Sequence, residues 1–167
     1  PKRLAVVGAG PAGLAFATAA AQRGHRVTLF DAQREIGGQF NIAKQIPGKE
    51  EFYQTLRYFS RQLSLLNVQL ELGEKVEADA LTEFDEVILA CGILPRLPEI
   101  NGIDHPSVLT YLDVLRDKKP VGQRVAIIGA GGIGFDTAEY LSHVEHSSRL
   151  NIQAFQQEWG IDPSLKT

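Results

Sequence analysis

The chain has 167 residues, enough for roughly one domain of about 150, and 44% of them are apolar, so a packed core is expected. The net charge is −3 without a long run of one sign, which argues against nucleic acid or an anionic membrane as partner. Cys91 is the only cysteine, which excludes an internal disulfide and a four-cysteine cluster. No signal peptide or membrane span is recognisable, so a cytoplasmic location is expected.

The first residues predict a β-α-β unit of about 30 residues. Residues 4–7 are a continuous apolar run that ends in glycines, which is typical of a parallel strand covered on both faces. Residues 11–23 are rich in alanine and predict a closely packed helix that begins at Pro11 and ends before Gly24. Residues 26–31 predict the second strand.

The middle of the chain predicts a loop, a long helix and two strands. Residues 32–48 carry three glycines and a proline, which indicates a surface loop. Residues 49–67 predict a helix with one face on the core, because apolar residues recur every three or four positions. This stripe consists of Phe52, Leu56, Phe59, Leu63 and Leu66. Residues 68–72 and 86–90 predict short strands, the second buried in character.

The last part of the chain repeats the pattern of its beginning. Residues 107–117 predict a short strand and a helical turn, and residues 118–122 predict a linker. Residues 124–128 predict another buried strand, and a glycine run and a helix to about residue 144 follow. The side chains predicted to face inward on this helix are Ile133, Ala138 and Leu141.

The glycines after the first strand stand at the spacing that dinucleotide binding requires. Gly8 permits a tight turn, Gly10 leaves room for a diphosphate at the helix start, and Gly13 allows the helix to pack closely on the strand. Asp31 follows at roughly the 20 residues expected for the acid that accepts the hydroxyls of an adenosine ribose. The strand, turn, helix, second strand and acid all stand in the order of a dinucleotide-binding unit. The sequence therefore predicts a dinucleotide site here.

A second glycine fingerprint, Gly129, Gly131 and Gly134, predicts a second site of the same kind. Its own second strand and terminal acid are unclear. Residues 150–155 are a candidate strand, but Gln156 and Gln157 would then occupy the ribose position. Whether the second site binds a nucleotide within this chain is therefore left open, and its domain is expected to be cut short and prone to self-association.

Two such fingerprints, with Glu35 to Gln39 after the first and Leu89 to Gly92 between them, resemble the flavoprotein reductases with two dinucleotide-binding domains. The resemblance is narrowed to one family of these reductases by residues 37–44, 47–52 and 126–137. The chain resembles part of the bacterial NADPH-dependent 2,4-dienoyl-CoA reductases, and the likeness covers nearly its whole length.

The resemblance implies an α/β fold in two parts. Residues 1–106 are expected to be a Rossmann-like FAD-binding domain with a parallel sheet, which lacks the strand and helix that return later in the chain. Residues 107–167 are expected to be a connector and the first β-α part of a second Rossmann-like, NADPH-binding domain, also incomplete. Residues 151–166 would be an insertion in that domain.

The resemblance also implies individual cofactor contacts. Pro11 and Ala12 would lie against the diphosphate with the glycines, Asp31 on the ribose, and Val76 beside the adenine. Gln39 and Lys49 would lie near the polar groups of the flavin, and Gly38, Cys91 and Gly92 would be further cofactor contacts. The family more often has Thr or Ser where this chain has Cys91, which puts a hydroxyl contact there in doubt.

By resemblance, the chain is an electron-input module that takes hydride from NADPH onto FAD. An N-terminal barrel domain outside these residues would carry FMN, a 4Fe-4S cluster and the groups that reduce the dienoyl thioester. No catalytic side chain is assigned within the chain, because the redox chemistry belongs to the cofactors. Alternatives are the electron-input subunit of an amidotransferase, a disulfide reductase, which the missing cysteine pair disfavours, and a non-catalytic FAD-binding domain.

Other reactive residues have structural explanations that are preferred. Cys91 follows an apolar run and is predicted to be a small buried hydrophobe. Glu139, His143 and His146 share a helix spacing, but without a further ligand they predict a solvated helix end, not a metal site. The aromatic group on the long helix is predicted to pack there, not to stack on a ligand; it consists of Tyr53, Tyr58 and Phe59.

Overall fold

The first predicted strands form one parallel sheet. The computed structural model describes residues 1–143 and 148–164, without the side chain of Arg149. Its four strands are β1 (Arg3–Val7), β2 (Arg26–Asp31), β3 (Gln69–Leu72) and β4 (Glu86–Leu89). All pairings are parallel, in the order β3-β2-β1-β4. This order confirms the Rossmann-like α/β fold, in which the carboxyl ends of the strands meet at one edge.

Two helices cover one face of this sheet. Helix α1 (Pro11–Gln22) follows β1, and its buried side chains include Leu14 and Ala17. Helix α3 (Glu51–Leu65) follows later, and the predicted stripe is confirmed because Leu63 is 1% exposed and the rest of the stripe is at least half-buried. The core residues of the sheet itself are Leu4, Val6, Val27 and Leu29.

Two expectations for the first part of the chain were wrong. The predicted loop at 32–48 contains a short helix, α2 (Gln39–Ala43), which the surrounding glycines concealed. Strand β4 is not buried: Val87 is 40% exposed and Leu89 is 74% exposed. The reason is its position, because β4 is an edge strand of this sheet and pairs on one side alone.

The chain divides into two compact units, of which the second contains residues 44–51 and the described residues from 109 onward. Its first helix, α4 (Tyr111–Leu115), begins with a capping box in which Thr110 and Asp113 bond each other's backbone N–H. The strand predicted at the start of 107–117 is absent, since residues 107–110 lead directly into this cap.

The second glycine run leads into helix α5 (Gly132–Ser142) without a preceding strand. Residues 124–128 are exposed, with Ile128 at 79%, and the strand predicted there was wrong. A central parallel strand needs neighbours on both sides, and the described residues of this unit contain no strand beside it. Ile133 is consequently 54% exposed instead of buried, whereas Ala138 and Leu141 are half-buried as predicted.

The candidate strand at residues 150–155 is also wrong. Asn151 accepts hydrogen bonds from the backbone N–H groups of Gln153 and Ala154, and so begins helix α6 (Ile152–Glu158). Among the described helices, none has the length and apolar character needed to cross a membrane.

Candidate functional site

The first glycine turn joins the end of β1 to the start of α1. Gly8 adopts a φ of +110°, which side-chain-bearing residues rarely do, and donates its N–H to the carbonyl of Phe30 at 2.7 Å. A Cβ atom on Gly8 would collide with the backbone carbonyl of Ala90 at the end of β4. A Cβ on Gly13 would collide with the carbonyl of Gly8. Both glycines are therefore required by the packing of the turn itself.

Gly10 differs from its neighbours because nothing in the protein excludes a side chain there. It is the N-cap of α1 with ordinary extended angles, and a Cβ atom on it would have the Cα of Gly38, at 4.0 Å, as its nearest neighbour. No side chain caps the helix, and Pro11 occupies the first position. The first N–H groups of α1, those of Ala12 and Gly13, therefore have no side-chain cap at the positive helix end, which is the arrangement that binds a diphosphate.

Asp31 holds its carboxylate against this turn. It is the last residue of β2, and its Oδ2 accepts the N–H of Ala9 at 2.7 Å. Its Oδ1 accepts the N–H of Gln33 at 2.8 Å. Each carboxylate oxygen can accept more than one hydrogen bond, so hydroxyl donors can still be bound. The half-buried carboxylate is thus held in place by these hydrogen bonds and can still accept others.

Segments from other parts of the first unit surround the turn. Gly37 donates to the carbonyl of Ala9 at 2.8 Å, and a Cβ on Gly38 would lie 2.9 Å from the Cα of Gly10. Gln39, the first residue of α2, follows and is exposed. The structure therefore brings the predicted residue Gly38 to the turn, which sequence spacing alone could not establish.

Cys91 lies beside Gly8. Its backbone N is 3.1 Å from the position of a Cβ on Gly8, and its Sγ is 3.7 Å from the carbonyl oxygen of Val7. The thiol is exposed, so the prediction of a buried hydrophobe was wrong, because Cys91 continues the edge strand β4 instead of an interior one. Gly92 beside it is exposed as well.

The end of β3 completes this edge of the sheet. Gly73 donates its N–H to the carbonyls of Asp31 at 2.9 Å and Gln33 at 3.0 Å. Val76 follows three positions later in the same loop and is half-buried. Sequence reasoning missed Gly73 and the Ala9 N–H, although a glycine directly after a β-rich run is a signal of close backbone approach.

The second fingerprint has the same local geometry as the first. Gly129 has a φ of +118°, Gly131 is the uncapped N-cap of α5, and a Cβ on Gly134 would collide with the carbonyl of Gly129. The angles at Gly131, φ −88° and ψ −178°, match those at Gly10, φ −78° and ψ −174°. The described part of the second unit contains no strand, so it has no acid at a strand end like Asp31 in the first unit.

Lys49 lies in the second unit, where its Nζ contacts both carboxylate oxygens of Asp136 at 2.7 and 2.6 Å. Asp136 stands in the second turn of α5, after the second glycine run. The structure therefore places Lys49 in an ion pair on the second unit, a partner that the sequence did not indicate.

The remaining candidates are dispersed. Within residues 1–143 and 148–164, His, Cys, Asp and Glu form no group of three that could hold a metal, and His146 lies outside the described residues. On α3, Phe59 packs against the core and its ring centroid lies 5.3 Å from that of Tyr58, in an edge-on contact, while Tyr53 and Tyr58 are about half exposed.

An uncapped helix start, an open glycine and a fixed carboxylate at the carboxyl edge of a parallel sheet define a dinucleotide-binding protein. The chain belongs to the pyridine nucleotide-disulphide oxidoreductase family, whose sequence profile matches residues 2–154. Members of this family bind FAD and a nicotinamide dinucleotide.

Three similar proteins illustrate the relationship. A bilirubin reductase of Mediterraneibacter gnavus is 37% identical over 86% of this chain and 23% of its own length. An NADH oxidase of Thermoanaerobacter brockii is 34% identical over 96% of this chain and 25% of its own. A solved 2-naphthoyl-CoA reductase superposes with a TM-score of 0.81 and 31% identity, over 96% of this chain and 26% of that one. The chain thus spans about a quarter of the length of these relatives.

Proposed function

We propose that the first unit binds FAD through the turn at residues 8–13 and through Asp31. The observation that carries this proposal is the open space at Gly10 beside the uncapped start of α1. Gly8 and Gly13 are explained by packing alone, whereas a glycine at position 10 is needed only if something else occupies that space. A diphosphate fits the requirement, because it is anionic and must approach the backbone N–H groups closely.

The other predicted FAD contacts form part of the same proposal. Val76 would contact the adenine, Gln39 would lie near the flavin, and Gly38, Cys91 and Gly92 would be further FAD contacts. Their support is that Gly38 and Cys91 both border the turn. Lys49 remains a proposed flavin neighbour, and its ion pair with Asp136 would hold the ammonium group in place.

The second turn, Gly129, Gly131 and Gly134, is proposed to bind the diphosphate of NADPH. Its support is the agreement of its backbone angles with those of the first turn. FAD would supply the hydride-accepting chemistry, and this chain would supply binding, orientation and electrostatics. The domain division at about residue 106 belongs to the same proposal.

For the whole protein, we propose a 2,4-dienoyl-CoA reductase. This module would pass reducing equivalents from NADPH through FAD to an N-terminal barrel with FMN and a 4Fe-4S cluster. The likeness to a 2-naphthoyl-CoA reductase and to a cinnamate reductase supports reduction of an unsaturated acid or its thioester. An electron-input subunit of the amidotransferase type and a non-catalytic FAD-binding domain remain the alternatives.

The test is Gly10→Ala, with Gly122→Ala as the matched control. Alanine fits the backbone at both positions, and neither added Cβ would meet an atom closer than 4.0 Å. We expect Gly10→Ala to keep the wild-type melting temperature and to lose FAD binding by at least about tenfold in a fluorescence titration, because the methyl group displaces the diphosphate. Gly122→Ala should bind FAD normally; equal affinities for both variants would refute the proposed site.

Two further measurements test the position of the bound FAD and its role. The Cys91 thiol borders the turn and is exposed, so bound FAD should slow its alkylation. Bound FAD that NADPH bleaches supports the electron-input role, whereas FAD that binds without bleaching supports a binding domain.

A further inference from the structure

Three functional positions follow one another along the carboxyl edge of the sheet. The turn that would hold the diphosphate follows β1, Asp31 ends β2, and Gly73 follows β3. These strands are neighbours, and neighbouring strands lie about 4.8 Å apart. Diphosphate, ribose and base are likewise arranged in sequence in an adenosine diphosphate group. With the diphosphate on β1 and the ribose on β2, the adenine comes to lie over the end of β3.

Arg34 is a cation that stands at this place. The position of a Cβ on Gly73 would be 3.4 Å from its Cγ, so the side-chain stem passes along the end of β3. The loop of Arg34 is tied to the same point, because Gly73 bonds the carbonyl of Gln33. Arg34 is exposed and takes part in none of the ion pairs or hydrogen bonds of the described residues.

We propose that Arg34 contacts the adenine ring of the bound dinucleotide and selects adenine over a smaller base. This inference rests on the proposed FAD site and extends it to a residue that the glycine pattern does not include. A planar guanidinium stacks on an aromatic face and is held there by cation–π attraction. Asp31 cannot supply this selectivity, because every ribonucleotide carries the same ribose.

The experiment compares ADP with UDP on the full chain. UDP keeps the ribose and the diphosphate but replaces adenine with a smaller pyrimidine. The variants are Arg34→Gln, which keeps a polar side chain without the charge, and Arg61→Gln, which removes an exposed arginine from α3. Dissociation constants are measured by calorimetry, with Asp31→Asn as a variant of the ribose position.

We expect Arg34→Gln to weaken ADP binding by about two- to fivefold and UDP binding by clearly less, while Arg61→Gln changes neither. Equal losses for ADP and UDP would overturn the adenine contact, since the arginine would then act as a general positive charge. Unchanged ADP binding in Arg34→Gln, together with a loss in Asp31→Asn, would overturn this inference and leave the FAD site standing. A wild-type chain that binds no ADP would overturn both.

Discussion

At the scale of single residues, Asp113 ties the start of α4 together. Its carboxylate accepts the N–H and hydroxyl of Thr110 at 2.8 and 2.6 Å and forms an ion pair with Lys119. Hydrogen bonds from Lys119 and then from Thr110 lower the pKa of this carboxyl well below its usual range. The charged form of this half-buried carboxyl is therefore favoured in the folded chain.

This shift predicts an acid-sensitive contribution to stability. A lowered pKa in the folded state stabilises the fold above the unfolded value of about 3.9, and the gain is lost as the pH falls through the folded pKa. We expect the difference in urea midpoint between wild type and Asp113→Asn to be constant above about pH 5 and to shrink below about pH 4.

Two lysine variants serve as controls for this pH dependence. Lys119→Met removes the ion-pair partner and should reduce the same difference, whereas Lys75→Met, at an exposed loop position, should leave it unchanged. A wild-type-to-Asp113→Asn difference that does not vary with pH would contradict the prediction.

The residue scale also shows what glycine spacing can reveal. The positions of Gly8, Gly13 and Asp31 were predictable, because a strand–turn–helix repeat fixes where they stand relative to each other. The exposure of Cys91 was not, since it depends on β4 lying at an edge of the sheet, and strand order is a property of the tertiary structure. Residues joined by long-range backbone contacts, such as Gly73, were missed for the same reason.

At the scale of elements, Leu63 is the side chain of α3 that is fully buried. Leu63 is 1% exposed and belongs to the core beneath the sheet, whereas Leu65 on the same helix is 57% exposed. We expect Leu63→Ala to lower the free energy of unfolding by about 2–5 kcal/mol. Leu65→Ala, the same chemical change, should cost about 0.5 kcal/mol or less. Urea unfolding measures both, and similar losses would show that this helix face is not the packed one.

Elements were predictable where local pattern and tertiary partners agree. The spacing of α1 and α3 identified them because each has a sheet face to pack on. Residues 124–128 have the composition of a central strand but no neighbouring strand among the described residues, and they are exposed and form no strand. Local β-propensity thus makes a segment able to form a strand. The backbone hydrogen bonds that complete the strand must come from a neighbouring segment.

At the scale of the whole molecule, exposed apolar surface predicts self-association. Leu89 at the end of the edge strand is 74% exposed, and Ile93 and Leu94 after it are 83% and 93% exposed. An unpaired edge with apolar side chains is a template for pairing with another chain. We expect the apparent mass in light scattering to rise with concentration and Leu89→Lys to reduce that rise.

The matched control for this variant is Leu150→Lys. Leu150 is 68% exposed but lies in a 3-10 helix and not on a strand edge. It should leave the association nearly unchanged. A wild-type mass that stays monomeric at all concentrations would refute the prediction.

The two glycine turns have matching backbone angles, although within the described residues only the first is attached to a sheet. Their geometry is therefore determined by residues that are close together in the chain, and closing such a short loop costs little entropy. During folding, each glycine turn and the helix start after it can form before the slower, long-range pairing of parallel strands. In the described residues, the backbone geometry of such a turn therefore does not require a completed sheet beside it.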